Sequence, residues 1–427
     1  MSISLCMVLV AMFVTGAFVG RFLAACAVRF PDHESLTDQI LALRRPWGVC
    51  ARCQTVVSGL QTVPILGWFL QRRCPTCDRR LSLEYPFIEF ATACLFAALY
   101  YAEIPSGLSI PAVNGLTSVE GPRGPEVITT LFSPLVWLHL RLVVHLMMIC
   151  GLVVATAIDR RLRIIPDGCT VPVMVIAVIA SGCIGQLYTV PLWFQDASTV
   201  RILKPVMPAF LQPLFIPWDP TDFIQAFPRL HGWLVSLLGL IAGAGSVWIV
   251  RQIGFLVLRQ EAMGFGDVVL MAMIGSVLGW QPVLTVFILA PALAIFAAVV
   301  NWVAHRDNEI PYGPFLSAAT IILLLTWSHT WPMAKRFFDM GPFLAVMVVF
   351  MMLLLVTSLQ LVQLIKRLLG FRSSMVQDHA GWTSADHLSY YNSERPDEQT
   401  NQWPREMSSI CRSGRGLQRE YEWRRQS

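Results

Sequence analysis

Two aspartates stand where apolar segments meet polar loops. Asp159 closes the apolar run in ATAIDRR, and Asp267 opens another in EAMGFGDVVLMA. Two carboxylates that meet in a partly dry site share one proton, because both cannot readily ionise together. The ionised member can take a proton from water while the protonated member polarises a peptide carbonyl. Asp159 and Asp267 are therefore predicted to form a catalytic pair for metal-free aspartic peptide hydrolysis.

The glycines that precede the second aspartate fit the same chemistry. Gly264 and Gly266 lack side chains, so they can bind an extended substrate closely and can permit an irregular helix start. The spacing also allows a structural interpretation of both acids. Asp159 could form an ion pair with the arginines that follow it, or cap its helix. Asp267 could simply be an acidic residue in the first turn of a helix, where its charge interacts favourably with the helix dipole.

Four cysteines form a second constellation. GVCARCQT carries Cys50 and Cys53, and RRCPTCDRR carries Cys74 and Cys77. Two CxxC pairs at this separation match the spacing of a structural zinc site, which would let a short loop fold without a large core. Four thiolates would fill the metal's tetrahedron, so the predicted zinc is structural rather than catalytic. The alternative is four unrelated loop cysteines.

The composition indicates what holds these residues in place. Of 427 residues, 55% are hydrophobic and only 14% are charged, whereas soluble domains carry roughly a quarter charged residues. We therefore expect an integral membrane protein surrounded by membrane lipid. The net charge of +5 does not predict nucleic acid as a partner, since basic residues in membrane proteins chiefly mark cytoplasmic loops.

Nine apolar runs are candidates for transmembrane helices, each of which needs roughly 20 apolar residues. The sixth and seventh runs are separated only by Gly279–Pro282, so a tight turn or a half-span could occur there and eight spans is the alternative count. The predicted fold is thus an all-α polytopic membrane protein with eight or nine transmembrane helices. The runs cover residues 4–28, 86–102, 131–158, 168–190, 232–258, 267–280, 282–303, 313–331 and 342–365.

Arginines predict the orientation of these helices. Loop 29–85 holds eight arginines, whereas loop 103–130 holds only Arg123. Because basic residues favour the cytoplasmic side, the N-terminus is predicted outside and the C-terminus in the cytoplasm. The predicted divisions are a first transmembrane helix (1–28), a small cytoplasmic loop with the four cysteines (29–85), a second transmembrane helix with an external loop (86–130), a membrane core (131–331), an extra C-terminal transmembrane helix (332–369) and a disordered cytoplasmic tail (370–427).

Several motifs, in order between residue 16 and about residue 320, resemble those of one family. That family is the type IV prepilin peptidases, which are bacterial membrane aspartic endopeptidases. The similar segments are VGRFLAACAVRFP (19–31), the two CxxC pairs with TVPILGWFLQRRC between them, YPFIEFATA (85–93), AIDRRLRIIPDGCTVP, GFGD and IPYGPFLS (310–317).

The resemblance implies a GxGD-type intramembrane aspartic protease of the bacterial inner membrane. It implies Asp159 and Asp267 as the catalytic pair, the four cysteines as the family's tetrad, and Glu89 as an acidic residue near the substrate. Its substrates would be prepilins or pseudopilins of type IV pili or type II secretion, cut at the cytoplasmic membrane face. Many members also methylate the new N-terminus with S-adenosylmethionine.

Four positions depart from the family pattern. Arg21 and Ala24 replace a Ser and an Asn, Val269 replaces a Lys, and Glu84 replaces a basic residue before Tyr-Pro. The first three changes remove or reverse polar chemistry near the region expected for methyl transfer and substrate, whereas both aspartates are intact. The sequence therefore favours the peptidase over the methyltransferase. A catalytically inactive membrane scaffold and a transporter are the alternatives.

Overall fold

Helices make up most of the described part of the chain. The described residues contain no β-strand, although Gln195 and Trp218 form an isolated antiparallel bridge, and the predicted all-α fold is confirmed. The computed structural model describes residues 3–33, 35–44, 63–70, 73–74, 76–77, 82–104, 134–195, 197–209, 212–258, 263–303 and 311–368.

The described residues form fourteen α-helices, linked by short turns and three single-turn 3₁₀ segments. In chain order they are α1 (Ile3–Arg29), α2 (Leu36–Ala42), α3 (Leu66–Leu70), α4 (Glu84–Glu103), α5 (Pro134–Leu162), α6 (Asp167–Ile184), α7 (Ala197–Leu203), α8 (Thr221–Ala226), α9 (Pro228–Leu258), α10 (Phe265–Leu278), α11 (Trp280–Val303), α12 (Gly313–Leu325), α13 (Trp327–Phe338) and α14 (Phe343–Leu368).

Seven of the described helices are long and apolar enough to cross a membrane, namely α1, α4, α5, α6, α9, α11 and α14. The other two predicted runs contain the shorter apolar helices α10 and α12. With 14 residues, α10 is about 21 Å long, which is less than the roughly 30 Å of a bilayer core. The expected tight turn is Gly279, which has φ 92° and directly joins α10 to α11.

The predicted run 313–331 is wrong at its C-terminal end. The apolar helix α12 stops at Leu325, and Thr326 adopts a non-helical conformation. The chain then continues as α13, an amphipathic helix whose polar side includes Lys335 and Arg336. The run 168–190 also ends early, because α6 stops at Ile184 before a left-handed glycine.

Helix α10 lies at the centre of the bundle. It packs against α5, α6, α9, α11 and α12, and all but one of its residues from Asp267 to Leu278 are buried. An apolar helix can remain this short because protein rather than lipid surrounds it. The N-terminal pair, α1 and α4, packs against α5 beside this core. The bundle therefore places the start of α10 among the ends of its neighbours.

The other end of α10 is covered by residues 187–195, which we call the cap segment. The Thr189 hydroxyl donates to the Leu278 carbonyl at 2.8 Å. The Trp280 indole N–H donates to the Leu192 carbonyl at 2.5 Å. Because the last carbonyls of a helix lack partners within it, these bonds satisfy polar groups where α10 stops short. The cap segment thus closes the end of the bundle opposite Asp267.

Candidate active site

Asp159 and Asp267 come together at one end of the bundle. Asp159 lies in the last turn of α5 and Asp267 in the first turn of α10, and their exposed fractions are only 6% and 9%. The two side chains are close enough that the charge of Asp159 acts on the Asp267 carboxylate. Two residues 108 positions apart in sequence therefore form one buried acidic site.

Two glycines allow the backbone to close around this pair. Gly313 opens α12, and a Cβ atom built there would come 2.6 Å from Oδ2 of Asp159. A Cβ atom at Gly266 would come 3.0 Å from the Cβ of Ile165. Ile165 itself also faces Gly313, whose built Cβ would be 3.3 Å from Cδ1. Any larger residue would displace the carboxylate or this isoleucine, so the close approach requires glycine.

Among the described residues, the charge of Arg163 acts on Asp159, whereas no basic side chain acts on Asp267. Within the described part of the chain, no Lys, Arg or His nitrogen lies within ion-pair distance of Asp159 or Asp267. Oδ2 of Asp159 is buried and has no hydrogen-bond partner among the described residues. Arg161 does not form the alternative ion pair with Asp159, because it pairs with Glu84 instead.

Tyr312 is a further group at this site. It directly precedes Gly313, and burial together with the Asp267 carboxylate raises the pKa of Tyr312 to about 12. Its phenol is therefore protonated at neutral pH and can act as a hydrogen-bond donor. Sequence reasoning assigned no role to Tyr312, Gly313 or Ile165, although the IPYGPFLS and RIIPDG segments that carry them had been singled out.

The predicted substrate residues lie in two places. Gly264 is exposed beside the pair, and a Cβ atom there would be 3.8 Å from Oδ2 of Asp267. Glu89 lies in α4, where its carboxylate accepts the Ile65 N–H at 2.5 Å and faces the Arg21 guanidinium at 3.5 Å. These described contacts of Glu89 join α1, α4 and the 63–70 segment, and neither aspartate is among them.

Two of the four cysteines of the predicted zinc site lie among the described residues. Cys50 and Cys53 lie outside the described residues. Cys74 is buried, and Cys77 is half-buried in a turn. Among the residues that the structure describes, no group of three or more candidate metal ligands occurs. The zinc site stays a prediction.

Two of the four departures from the family pattern form ion pairs. Arg21 pairs with Glu89, and Glu84 pairs with Arg161 at 3.2 Å. Ala24 is buried in α1. The new charges are therefore compensated by this chain's own side chains.

A second buried ionic cluster lies near the opposite end of the bundle. His145 Nδ1 and Glu103 Oε1 are 2.5 Å apart, and Arg141 Nε lies 3.9 Å from Glu103 Oε2. All three side chains are buried. His145 precedes Asp159 by 14 residues on α5, which corresponds to about 21 Å. Sequence reasoning missed this cluster, although ionisable residues inside apolar runs were a detectable sign.

Comparisons with known proteins agree with these features. A family model described as "Bacterial Peptidase A24 N-terminal domain" matches residues 14–103, and one described as "Type IV leader peptidase family" matches residues 192–299. Asp267 lies inside the second match. No solved structure matches the chain.

The alignments with named relatives cover most of the chain. The "Prepilin leader peptidase/N-methyltransferase" of Aeromonas hydrophila is 24% identical over 303 residues, covering 69% of this chain and 77% of the relative. The proteins of the same name from Bacillus subtilis (strain 168) and Neisseria gonorrhoeae are each 23% identical; both alignments cover 74% of this chain, with 92% and 90% of the respective relatives. Two family models and several curated relatives therefore show that the chain is similar to type IV leader peptidases, and the chain is a multi-pass membrane protein.

Proposed function

We propose that this chain is a membrane aspartic endopeptidase that removes the leader peptide from type IV prepilins or pseudopilins. The observation that carries the proposal is the pair of buried carboxylates, Asp159 and Asp267, which lie close enough for their charges to interact. The match to the type IV leader peptidase model and the names of the relatives support prepilin leaders as the substrate.

The reaction follows from the shared proton of the pair. One carboxyl group is protonated and donates a hydrogen bond to the scissile carbonyl, while the other accepts a proton from a water molecule. The water oxygen bonds to the carbonyl carbon and forms a tetrahedral intermediate. The C–N bond then breaks as the departing nitrogen takes a proton, and the pair returns to its singly protonated state.

Substrate reaches the pair from the exposed glycine side. Gly264 and the neighbouring Phe265 are exposed, so an extended peptide can lie along this edge before the start of α10. We place this end of the bundle at the cytoplasmic face of the inner membrane, with the N-terminus outside and the C-terminus in the cytoplasm. The arginine-rich 29–85 loop supports that orientation, because Arg161, near Asp159, contacts Ala27 just before the loop and Glu84 at its end.

The proposal includes two groups that would bind elsewhere. Zinc would be held by Cys50, Cys53, Cys74 and Cys77, and it would stabilise the loop without taking part in cleavage; the turn at Cys77 supports this assignment. Methylation of the new N-terminus with S-adenosylmethionine is a second activity suggested by the relatives' names. Two of the positions that differ from the family pattern offer no available polar group for methyl transfer, because Ala24 is apolar and buried and Arg21 is paired with Glu89.

The test is mass spectrometry of a prepilin co-expressed with the full-length protein or with its Asp267→Asn variant. We expect loss of the leader with the unmodified protein and an intact prepilin with the variant. Asp222→Asn, the same change on an exposed helix start outside the pair, is the matched control and is expected to cleave normally.

An intact prepilin with the unmodified protein would contradict the peptidase and favour the inactive scaffold or the transporter. Cleavage by Asp267→Asn would contradict the proposed pair. A product carrying one additional methyl group would support the methyltransferase activity.

A further inference from the structure

Arg161, two residues after Asp159, forms hydrogen bonds within its own helix α5 and with helices α1 and α4. Its Nε donates to the Ala157 carbonyl of α5 at 3.2 Å. Its Nη2 donates to the Ala27 carbonyl of α1 at 2.8 Å, and its Nη1 donates to the Glu84 carboxylate at the start of α4 at 3.2 Å. All three guanidinium nitrogens are therefore used, each on a different element or turn.

The chemistry of these contacts suits arginine in particular. Ala27 lies in the last turn of α1, where carbonyls have no partner within the helix, so the guanidinium satisfies a buried orphan acceptor. Glu84 adds an ion pair, but the Arg161 and Glu84 side chains are 32% and 54% exposed, so water weakens it. A lysine ammonium carries its three N–H donors on one nitrogen, so it cannot match this planar fork.

The neighbouring geometry leaves little room for movement of Asp159. A Cβ atom at Gly313 would come 2.6 Å from its Oδ2, so the carboxylate already lies against backbone. Helix α5 ends three residues after Asp159, and Arg163 closes it with a left-handed φ of 56°. Helix termini fray readily, because their last carbonyls are unpaired. Arg161 is the side chain by which this final turn contacts both α1 and α4 among the described hydrogen bonds.

We propose that Arg161 is a positioning residue, which fixes the depth of Asp159 by tying the end of α5 to α1 and α4. This inference rests on the proposed function. It assigns the N-terminal helix pair a part in peptide cleavage, since the pair anchors the element that carries one catalytic carboxylate. It also gives Glu84, a departure from the family pattern, a role in the same contact.

The adjacent arginine provides a matched control. Arg160 has the same charge and lies on the same last turn of α5, but it is exposed. It forms no hydrogen bond or ion pair with the described residues, unlike Arg161. A general effect of positive charge at this end of the bundle would appear in variants of both residues, whereas an effect of the helix contacts would appear only at Arg161.

The experiment compares purified full-length protein with the variants Arg161→Gln, Arg161→Lys, Glu84→Gln and Arg160→Gln. Steady-state cleavage of a prepilin is measured together with the thermal midpoint of unfolding. For Arg161→Gln we expect kcat to fall about tenfold while KM changes less than about twofold, because small displacements of a catalytic group reduce rate strongly. Arg161→Lys should recover part of kcat, and Glu84→Gln should lose about twofold or less. Arg160→Gln should match the unmodified protein.

The outcomes separate this inference from the proposed function. Unchanged kcat in Arg161→Gln, a change confined to KM, or an equal loss in Arg160→Gln would overturn the positioning role. A loss of kcat that matches the loss of folded protein would also overturn it. If Arg161→Gln does not fold, the same division between kcat and KM in Arg161→Lys decides. Absence of cleavage by the unmodified protein would instead overturn the proposed function itself.

Discussion

The bundle contains two buried ionisable clusters, one toward each end, and they are built in opposite ways. In one, Glu103 meets His145 and Arg141, so a carboxylate is paired with groups that can carry the opposite charge. In the other, Asp159 lies close to Asp267, a group of the same sign; Arg163 acts on Asp159 through its charge, but neither aspartate is in an ion pair with a described residue.

The difference indicates what each cluster is for. Opposite charges repay part of their desolvation by mutual attraction, so such a cluster can join α4 to α5 at tolerable cost. Two carboxylates repel each other when both are ionised, so the fold must hold them together through the packing of α5, α10 and α12. An arrangement that costs stability and brings titratable groups together is typical of a catalytic site.

The largest effect is expected from removing either acid of the like-charged pair. Asp159→Asn or Asp267→Asn should lower leader cleavage by about a thousandfold, because proton transfer by a positioned group contributes roughly 10²–10⁴. Stability should stay equal or rise, since repulsion is removed. Cleavage assays and thermal unfolding check both. A variant that loses activity only because it unfolds would break the comparison.

The opposite cluster should show the reverse pattern. Glu103→Gln leaves Arg141 buried without its carboxylate, so we expect a loss of about 3 kcal/mol in stability, with cleavage per folded molecule retained. The double variant Glu103→Gln with Arg141→Gln should regain part of that loss. Denaturant unfolding and kcat of the folded fraction measure these effects. A specific loss of kcat in Glu103→Gln would assign this cluster to catalysis.

A methyl group beside Asp159 tests the packing that holds the pair. Gly313→Ala places Cβ against Oδ2, so kcat should fall by about ten- to a hundredfold. Gly245→Ala is the control, because a Cβ atom at Gly245 meets nothing within 4 Å. Equal activity of the two variants would show that Asp159 tolerates displacement.

The smallest effect is expected from two tyrosines, one at each cluster. Burial raises the pKa of Tyr188 to about 12, as it does for Tyr312, and Tyr188 lies near Arg141. Tyr312→Phe should lower kcat by about three- to tenfold, the value of one hydrogen bond, whereas Tyr188→Phe should leave kcat unchanged. Steady-state kinetics of both variants measure the contrast. Equal kinetics in the two variants would remove Tyr312 from the site.

The sequence predicted the features that depend on local pattern. Apolar runs indicated the seven described helices that are long enough to span a membrane and the two shorter apolar helices, and carboxylates at the ends of two runs indicated the acidic pair. The end of α12 was missed, because Thr326 and the aromatic residues after it still look apolar in sequence. The His145–Glu103 contact joins residues 42 positions apart, so helix packing rather than pattern creates it. The contact of Gly313 with Asp159 has the same origin.

The short helix α10 has a consequence for how the protein enters the membrane during synthesis. An isolated segment of 14 residues is too short to be inserted as a stable span. Because α11 follows α10 after a single glycine, the two strongly apolar helices form a hairpin that can be inserted as one unit. Membrane insertion of α10, which carries Asp267, would then depend on α11. Charges introduced into α11 should therefore mislocalise Asp267, although the sequence of α10 is unchanged.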